Sequence, residues 1–265
     1  MGGMNLEIKG KNALVTGGCN GIGKSISLQL AKEGANLIVT TRNKSKIKGF
    51  IKEIKKFDTK IEIIEVDFHK KNWEKKFKKK ISKLKLHILV NNAGHTCGIT
   101  DPYCNIDDWY KVIGLNFLTP VQICNMVIPQ MKKNNWGRIV NITSCAGLEN
   151  SGPVTYCVSK AQLTAYSRTM GRILATENEN IVMSAVFPGV IATEGGHWEK
   201  KQKDDPEHVK RYLKNRTPLN RFGSEKEIAN VVTFYCSQLA SFSHGAIVPV
   251  DGGQSKHYMS FNYLD

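Results

Sequence analysis

Short apolar runs alternate along the chain with stretches in which apolar residues recur every three or four positions. Runs typical of buried strands occupy residues 12–16, 36–40, 61–66, 86–90, 138–143, 181–187 and 246–250. Helical spacing separates nearly all of them; after the first run, Ile22, Ile26 and Leu30 recur every four residues. Strands that alternate with helices predict an α/β fold, in which helices cover both faces of a doubly wound parallel sheet.

A glycine cluster lies between the first predicted strand and the first predicted helix. Residues 17–23 read Gly-Gly-Cys-Asn-Gly-Ile-Gly. Glycine allows the backbone to turn sharply and to approach a pyrophosphate, whose charge is stabilised by the N–H groups at the start of the helix. In this strand and helix context, the cluster predicts a Rossmann-like dinucleotide-binding fold.

A second cluster has the chemistry of proton transfer. Tyr156 and Lys160 are four residues apart and share one face of a predicted helix, and Ser144 lies twelve residues upstream. A free phenol has a pKa near about 10, and an adjacent ammonium group is expected to lower that pKa. Ser144 would donate a hydrogen bond to a carbonyl oxygen of the substrate. The pair alone is also compatible with a packed tyrosine beside a lysine that extends its amine to solvent.

The candidate residues follow the ends of predicted strands. They are Gly17–Gly23, Arg42, Asp67, Asn91–Gly94, Ser144 and Pro188–Thr193. Because ligands bind at the carboxyl ends of the strands in such sheets, we expect these residues to gather along one rim.

Taken together, these motifs resemble the short-chain dehydrogenase/reductase family from about residue 8 to about residue 253. The resemblance rests on Thr-Gly-x-x-x-Gly-Ile-Gly at the N-terminus, Asn91-Asn92-Ala93-Gly94, Asn116, Ser144, Tyr156, Lys160 and Pro188-Gly189. It implies an oxidoreductase that transfers hydride between a nicotinamide and a carbonyl group, with Asn116, Ser144, Tyr156 and Lys160 as catalytic residues. Ser144 and Tyr156 are twelve residues apart where thirteen is common in the family, so we expect a tighter loop between them.

The resemblance also implies which residues hold the cofactor. They are Gly17, Asn20, Gly21, Ile22, Gly23, Arg42, Asp67, Phe68, Asn92, Ala93, Gly94, Tyr156, Lys160, Pro188, Gly189, Ile191 and Thr193. Asp67 would accept from the adenine amino group, and the stretch from Pro188 to Thr193 would contact the nicotinamide carboxamide. No metal ligand is expected.

Arg42 stands after the second predicted strand, where a carboxylate would normally bind the adenosine ribose. A guanidinium offers a fork of donors suited to a 2′-phosphate. We therefore expect NADP(H) rather than NAD(H), although Arg42 could also be an ordinary surface residue.

The chain has 265 residues, and no linker or repeat divides it, which predicts a single domain over 1–265 with a short tail at 254–265. No secretory leader or membrane span is expected. Seven cysteines without a paired motif favour a reduced, cytoplasmic protein.

The formal net charge is +15, and an excess of +11 lies between residues 42 and 85. There, Ile47, Phe50, Ile51, Ile54 and Phe57 form one helical apolar stripe among lysines, and Trp73, Phe77, Ile81 and Leu84 form another. This pattern favours the solvated outer faces of two helices over a nucleic-acid or membrane surface. An acidic carrier protein or another polyanion stays open as a partner.

The substrate is not encoded in any single motif. Residues 194–222 carry eight Lys or Arg and five acids, and we expect an irregular segment there that covers the substrate. The resemblance favours a 3-oxoacyl group on an acyl carrier, while sugars, nucleotide-sugars and other small carbonyl compounds stay open. It also implies a homotetramer or homodimer. A noncatalytic NADP-sensing or polyanion-binding protein is the alternative from another class.

Overall fold

A seven-stranded sheet forms the centre of the computed structural model, which describes residues 4–149 and 151–255. Its strands are β1 (Asn12–Val15), β2 (Asn36–Thr41), β3 (Ile61–Glu65), β4 (Ile88–Asn91), β5 (Gly137–Ile142), β6 (Ile181–Pro188) and β7 (Ile247–Val250). They lie in the order β3-β2-β1-β4-β5-β6-β7, and every neighbouring pair is parallel. Strand order reverses between β1 and β4, where open sheets of this kind bind ligands.

Helices connect the strands. They are α1 (Gly21–Lys32), α2 (Lys48–Ile54), α3 (Trp73–Ile81), α4 (Ile106–Ile113), α5 (Thr119–Lys133), α6 (Val154–Glu177), α7 (His197–Asp204), α8 (Pro206–Arg216) and α9 (Glu225–Tyr235). Several begin at the signals that their sequences carry. The Ser224 side chain accepts from the Glu227 N–H, and the Glu227 side chain accepts from the Ser224 N–H, so a capping box starts α9.

Successive strand residues point to opposite faces of the sheet, and helices pack against both faces. Ala13 and Val15 of β1 pack into one apolar cluster with residues of α1, α2 and α9. Leu14 packs into the other cluster with residues of α3, α5 and α6. The predicted single-domain α/β fold with a doubly wound parallel sheet is confirmed.

The two lysine-rich helices bury the predicted apolar stripes. Phe50 and Ile54 of α2 are buried in one cluster, and Trp73, Phe77 and Ile81 of α3 are buried in the other. Exposed lysines occupy most of the remaining surface of α3, and Lys48 and Lys52 are exposed on α2. The excess positive charge is therefore carried on the outer surface of a packed sheet.

The segment 194–222 corrects the expectation of an irregular stretch, since most of it forms α7 and α8. Asp205 caps α8 by accepting from the His208 N–H at 3.0 Å, and Pro206 occupies the first turn. Lys201 pairs with Asp205 four residues on at 3.3 Å, which supports α7. These signals are visible in the sequence, but the high density of charge hides the helical period.

One continuous helical stretch, Ile106–Lys133, is long and apolar enough to cross a bilayer by length and composition, with a mean hydropathy of 1.5 over 18 residues. Half of that window is buried inside the fold. The stretch contains α4 and α5, and α5 contributes Ile123 and Val127 to the core below the sheet.

Of the tail predicted at 254–265, residues 256–265 lie outside the described part of the chain.

Candidate active site

The turn between β1 and α1 depends on residues without side chains. Gly17 and Gly21 have φ angles of 62° and 52°, in the left-handed region that favours glycine. A Cβ atom on Gly23 would collide with the carbonyl oxygen of Gly17. Asn20 precedes α1 with an extended backbone, and its side chain makes no capping hydrogen bond within the described part of the chain. The N–H groups at the start of α1 therefore face the rim without a side-chain cap.

Two buried threonine hydroxyls hold this turn against its neighbours. The N–H groups of Asn92 and Ala93 both donate to Thr16 Oγ1, at 2.9 and 3.0 Å. The N–H of Gly17 donates to Thr40 Oγ1 at 2.9 Å. Sequence reasoning missed the role of both threonines, although a polar residue at the end of an apolar strand was the available signal.

The loop after β6 lies across the same turn. Thr193 Cγ2 is 3.7 Å from the point where a Cβ atom of Gly21 would stand. Pro188 ends β6, and Ile191, which is 9% exposed, pairs with Gly223 in a short parallel bridge. The loop from Pro188 to Thr193 thus meets the glycine turn, as the sequence predicts.

Gln254 fixes this loop from the C-terminal side. Its Oε1 accepts from the N–H of Val190 at 2.8 Å, and its Nε2 donates to the Tyr212 hydroxyl at 3.4 Å. Tyr212 in turn lies against Trp198, with ring centroids 4.4 Å apart. A residue assigned to the tail by sequence therefore links the loop after β6 to helices α7 and α8.

Arg42 and Asp67 follow β2 and β3 at the same rim. Arg42 is exposed. The pKa of His95 is lowered mainly by the burial of His95 itself and secondly by the positive charge of Arg42, so the two residues are close. Asp67 is half-buried and accepts from the His69 N–H at 3.1 Å. The Phe68 ring packs edge-on against Trp73, with the ring centroids 4.8 Å apart.

Asn116 occupies a break in the helical ladder. It lies in the π-helical turn Gly114–Leu118 between α4 and α5 and is fully buried. Its Nδ2 donates to the carbonyl oxygens of His95 and Val112, both at 2.9 Å. Its Oδ1 has no partner among the described residues. A π-helical turn of this kind often marks a functional site.

Ser144, Tyr156 and Lys160 meet at the end of β5. Ser144 follows the strand, and its side chain lies close enough to Tyr156 to lower the pKa of the phenol. Lys160, 3% exposed, donates from Nζ to the carbonyl oxygen of Ile142 at 2.9 Å. The same Nζ lies 5.6 Å from the centre of the Tyr156 ring. The shorter spacing from Ser144 to Tyr156 is thus compatible with direct contact.

Gly94 brings Asn116 next to this group. A Cβ atom on Gly94 would lie 2.5 Å from Asn116 Oδ1 and 3.1 Å from Lys160 Nζ. Any side chain at this position would displace one of the two. The absence of a side chain on Gly94 therefore allows the loop after β4 to approach both predicted catalytic residues.

The pKa values correct one expectation. Burial raises the pKa of Tyr156 to about 12, against the opposing effect of the Ser144 hydrogen bond, where the sequence led us to expect a lowered value. Burial lowers the pKa of Lys160 to about 8. Loss of hydration outweighs charge attraction here, because the Lys160 ammonium is directed at the Ile142 carbonyl oxygen.

A group with metal-ligand chemistry lies beside the rim, although no metal ligand is expected from the sequence. The ligand atoms of His69, His95 and Cys97 all lie within 4.8 Å of one another. The signal was present in the His-Thr-Cys spacing after Gly94, but His69 comes from a different loop.

The chain is similar to known proteins over most of its length. A family model described as short chain dehydrogenase matches residues 11–204. A 3-oxoacyl-(acyl-carrier-protein) reductase of Aquifex aeolicus is 35% identical over 254 residues, which cover 94% of this chain and 99% of that protein. An L-xylulose reductase of Caenorhabditis elegans is also 35% identical, over 96% of this chain and 99% of that protein.

A solved structure has the same fold. The L-sorbose reductase from Gluconobacter frateurii, complexed with NADPH and L-sorbose, superposes with a TM-score of 0.87 at 27% identity. The match covers 97% of this chain and 100% of the reductase chain.

Proposed function

Because the chain belongs to the short-chain dehydrogenase/reductase family, we propose that it is an NADP(H)-dependent enzyme that interconverts a ketone and a secondary alcohol. Membership of the family makes it an oxidoreductase. The observation that carries the proposal is the convergence of Asn116, Ser144, Tyr156 and Lys160 at the end of β5, opposite the glycine turn.

The proposed chemistry is a reduction assisted by a proton donor. When bound, the nicotinamide supplies the hydride. Tyr156 donates its proton to the carbonyl oxygen of the substrate, and Ser144 stabilises that oxygen by a hydrogen bond. A tyrosine with a raised pKa stays protonated at neutral pH, which is the form required of the donor in this direction.

Lys160 and Asn116 support the donor. Lys160 has three N–H donors, of which one is given to the Ile142 carbonyl oxygen, so others are available for hydroxyl groups of the nicotinamide ribose. The unpaired Oδ1 of Asn116 near Lys160 Nζ supports a role as acceptor in a proton relay that replenishes Tyr156.

The residues at the rim fit a dinucleotide. A pyrophosphate fits at the start of α1, where no side chain of the described residues caps the free N–H groups. Gly17, Gly21 and Gly23 have no side chains that would block its approach. Asn20 and Ile22 complete this turn, and Asn92, Ala93 and Gly94 line its other side. Pro188, Gly189, Ile191 and Thr193 would contact the nicotinamide end. Asp67 and the backbone of Phe68 would contact the adenine.

NADP(H) is the proposed cofactor rather than NAD(H). Arg42 is exposed at the end of β2, and no ion pair or hydrogen bond engages its side chain in the described residues. Its fork of donors suits a phosphate on the 2′-position of the ribose. The NADPH complex of the similar L-sorbose reductase supports this choice.

The proposed substrate is a 3-oxoacyl thioester on an acidic acyl carrier. The similarity to 3-oxoacyl-(acyl-carrier-protein) reductases supports it. So does the lysine-rich surface between residues 42 and 85, which complements an acidic carrier. The second candidate is a keto-sugar, because the L-xylulose reductase has the same 35% sequence identity to this chain as the Aquifex aeolicus 3-oxoacyl reductase.

Assembly and location belong to the same proposal. Val154, Val158 and Ile173 of α6 remain 36–41% exposed, which supports a homotetramer or homodimer formed through the helix that carries Tyr156. A cytoplasmic location stays a prediction. The alternative of a noncatalytic NADP sensor is disfavoured because the four predicted catalytic residues are all present and lie close together.

Oxidation of NADPH in the presence of a panel of ketones tests the proposal. We expect turnover of a 3-oxoacyl thioester and a loss of about 10²–10⁴-fold in kcat in Tyr156→Phe, which keeps the ring but removes the proton. NADPH binding to Tyr156→Phe, measured by titration, should persist. Turnover of L-xylulose or L-sorbose in place of the thioester would favour the second candidate. Full turnover by Tyr156→Phe would refute the catalytic assignment.

A further inference from the structure

His69, His95 and Cys97 form a cluster that the proposed reduction does not use. His69 lies in the loop after β3, while His95 and Cys97 lie in the loop after β4. Cys97 Sγ is 4.0 Å from His69 Nε2, and the two imidazole centroids are 6.0 Å apart at 61°. Both histidines are exposed and Cys97 is half-buried, so an ion from solvent can reach all three.

The backbone holds these side chains on one side of the loop. Cys97 has a φ angle of 57°, which is uncommon for a residue with a side chain and is often found at functional sites. Its N–H donates to His95 Nδ1 at 2.9 Å, and the loop then turns at Gly98, whose φ angle is 76°. This left-handed pair of residues directs the Cys97 sulfur back towards the histidines.

The donor set selects the kind of ion. Two imidazole nitrogens and one thiolate are ligands for Zn²⁺ and similar borderline-soft divalent cations, and the usual geometry is tetrahedral. A sulfur and nitrogen 4.0 Å apart need to approach only slightly to share one ion. Hard cations such as Mg²⁺ prefer oxygen ligands, which this cluster does not present from its side chains.

We propose that His69, His95 and Cys97 bind one Zn²⁺ ion or a cation of the same class, with water as the fourth ligand. On binding, the Cys97 thiol releases its proton to solvent and forms a metal–sulfur bond. His95 exchanges its hydrogen bond from the Cys97 N–H for a metal–nitrogen bond, and no electron is transferred. Burial raises the pKa of the Cys97 thiol, and the charges of Lys111 and Arg42 counteract this shift, although they also oppose the charge of the cation.

The position of the site connects it with the rim. The His95 carbonyl oxygen accepts from Asn116 Nδ2 at 2.9 Å, and the Asp67 carboxylate accepts from the His69 N–H at 3.1 Å. A bound ion would join the loop after β3 to the loop after β4, and it would lie between Asn116 and Asp67. The three ligands themselves belong neither to the proposed catalytic group nor to the proposed cofactor-binding residues.

Binding of Zn²⁺ to the protein, purified without a histidine tag, tests the proposal by calorimetry. We expect one ion per chain, and a more than about tenfold loss of affinity in each of His69→Asn, His95→Asn and Cys97→Ser. Cys104→Ser and His197→Asn are the matched controls, because they remove the same side chains elsewhere, and they should bind as the unmodified protein does. Co²⁺ should give a sulfur-to-metal charge-transfer band that Cys97→Ser lacks.

Alkylation of the unmodified protein provides a test that does not depend on the folding of a variant. Zn²⁺ should protect Cys97 from iodoacetamide while Cys104 reacts at an unchanged rate, as read by peptide mass spectrometry. Saturable binding that survives in Cys97→Ser, or alkylation of Cys97 that Zn²⁺ does not slow, would overturn the proposal.

Discussion

Lys160 Nζ lies 5.6 Å from the centre of the Tyr156 ring and donates a hydrogen bond to the Ile142 carbonyl oxygen at 2.9 Å. Lys160 is buried and Tyr156 is half-buried, and burial disfavours the charged form of each. The pKa of Tyr156 is raised to about 12 and that of Lys160 is lowered to about 8. At neutral pH the pair therefore consists of a neutral phenol and an ammonium that is still mostly protonated.

The first prediction concerns the pH dependence of reduction. A lowered lysine pKa means that the ammonium charge is present below about pH 8 and is lost as pH rises through that value. Tyr156 stays protonated over this range. We therefore expect kcat/KM for reduction to fall above about pH 8, approaching about tenfold per pH unit, with Lys160 as the titrating group. The measurement is a pH profile of kcat/KM for NADPH-dependent reduction.

Lys160→Arg tests whether Lys160 is the group that causes the fall in kcat/KM above about pH 8. A guanidinium keeps its charge throughout the accessible range. Whatever its absolute rate, the variant should lose the decrease near pH 8. A limb that stays at the same pH in Lys160→Arg would show that another group titrates.

The second prediction concerns the choice of cofactor. Arg42→Asp replaces a donor fork with a carboxylate that repels a 2′-phosphate and accepts from ribose hydroxyls. Because a hydrogen bond to a charged group contributes about 1.5–3 kcal/mol, we expect kcat/KM for NADPH to fall roughly 10- to 100-fold relative to that for NADH. Lys52→Asp makes the same change of charge on the exposed face of α2 and should leave the ratio unchanged. Equal ratios in Arg42→Asp and the unmodified enzyme would contradict the assignment.

The third prediction compares two glycine-to-alanine changes. In Gly23→Ala the new methyl group would run into the Gly17 carbonyl oxygen and the Asn92 side chain, so the glycine turn must shift. We expect about 1–3 kcal/mol lower stability to urea and weaker NADPH binding. Gly49→Ala is the matched control in α2, because no atom of the described residues lies within 4 Å of its new methyl group. It should be neutral or more stable by about 0.5–1 kcal/mol. Unchanged NADPH binding in Gly23→Ala would argue against a phosphate at this turn.

The strands and the rim could be predicted from sequence because both depend on local pattern. Apolar runs such as residues 138–143 are long enough to identify a buried strand, and the motifs that follow them mark its carboxyl end. The π-helical turn at Asn116 was predictable only as a disturbance implied by the family resemblance. The pattern of residues 106–133 alone reads as a continuous amphipathic helix.

What could not be predicted depends on contacts between distant segments. Gln254 reaches Val190 across 64 residues, and His69 meets Cys97 across 28. The direction of the Tyr156 pKa shift was also out of reach, because it depends on how far burial removes the hydroxyl from water. Sequence spacing places Lys160 beside Tyr156 but does not reveal that the Ile142 carbonyl oxygen takes its hydrogen bond.

The last prediction concerns Arg138, a fully buried guanidinium at the end of β5 away from Ser144. It has no carboxylate partner among the described residues. Instead, it donates to the carbonyl oxygens of Ser237, Gly137 and Asn180, each at 2.8 Å, and to Gln238 Oε1 at 3.2 Å. Arg138→Met would remove all four hydrogen bonds from this charged donor, and each such bond contributes about 1.5–3 kcal/mol. The Asn180 carbonyl oxygen would keep the Gly137 N–H as a donor, and Gln238 Oε1 would keep Trp136 Nε1.

We therefore expect Arg138→Met to lower the free energy of unfolding in urea by about 3 kcal/mol or more. The rate of NADPH oxidation per folded molecule should change little, because the site is at the other end of β5. Arg172→Met is the control, since Arg172 is on the exposed face of α6 and its side chain makes no hydrogen bond within the described part of the chain. Similar unfolding midpoints for the two variants would mean that water replaces the guanidinium at these acceptors, and that the buried charge contributes little to the fold.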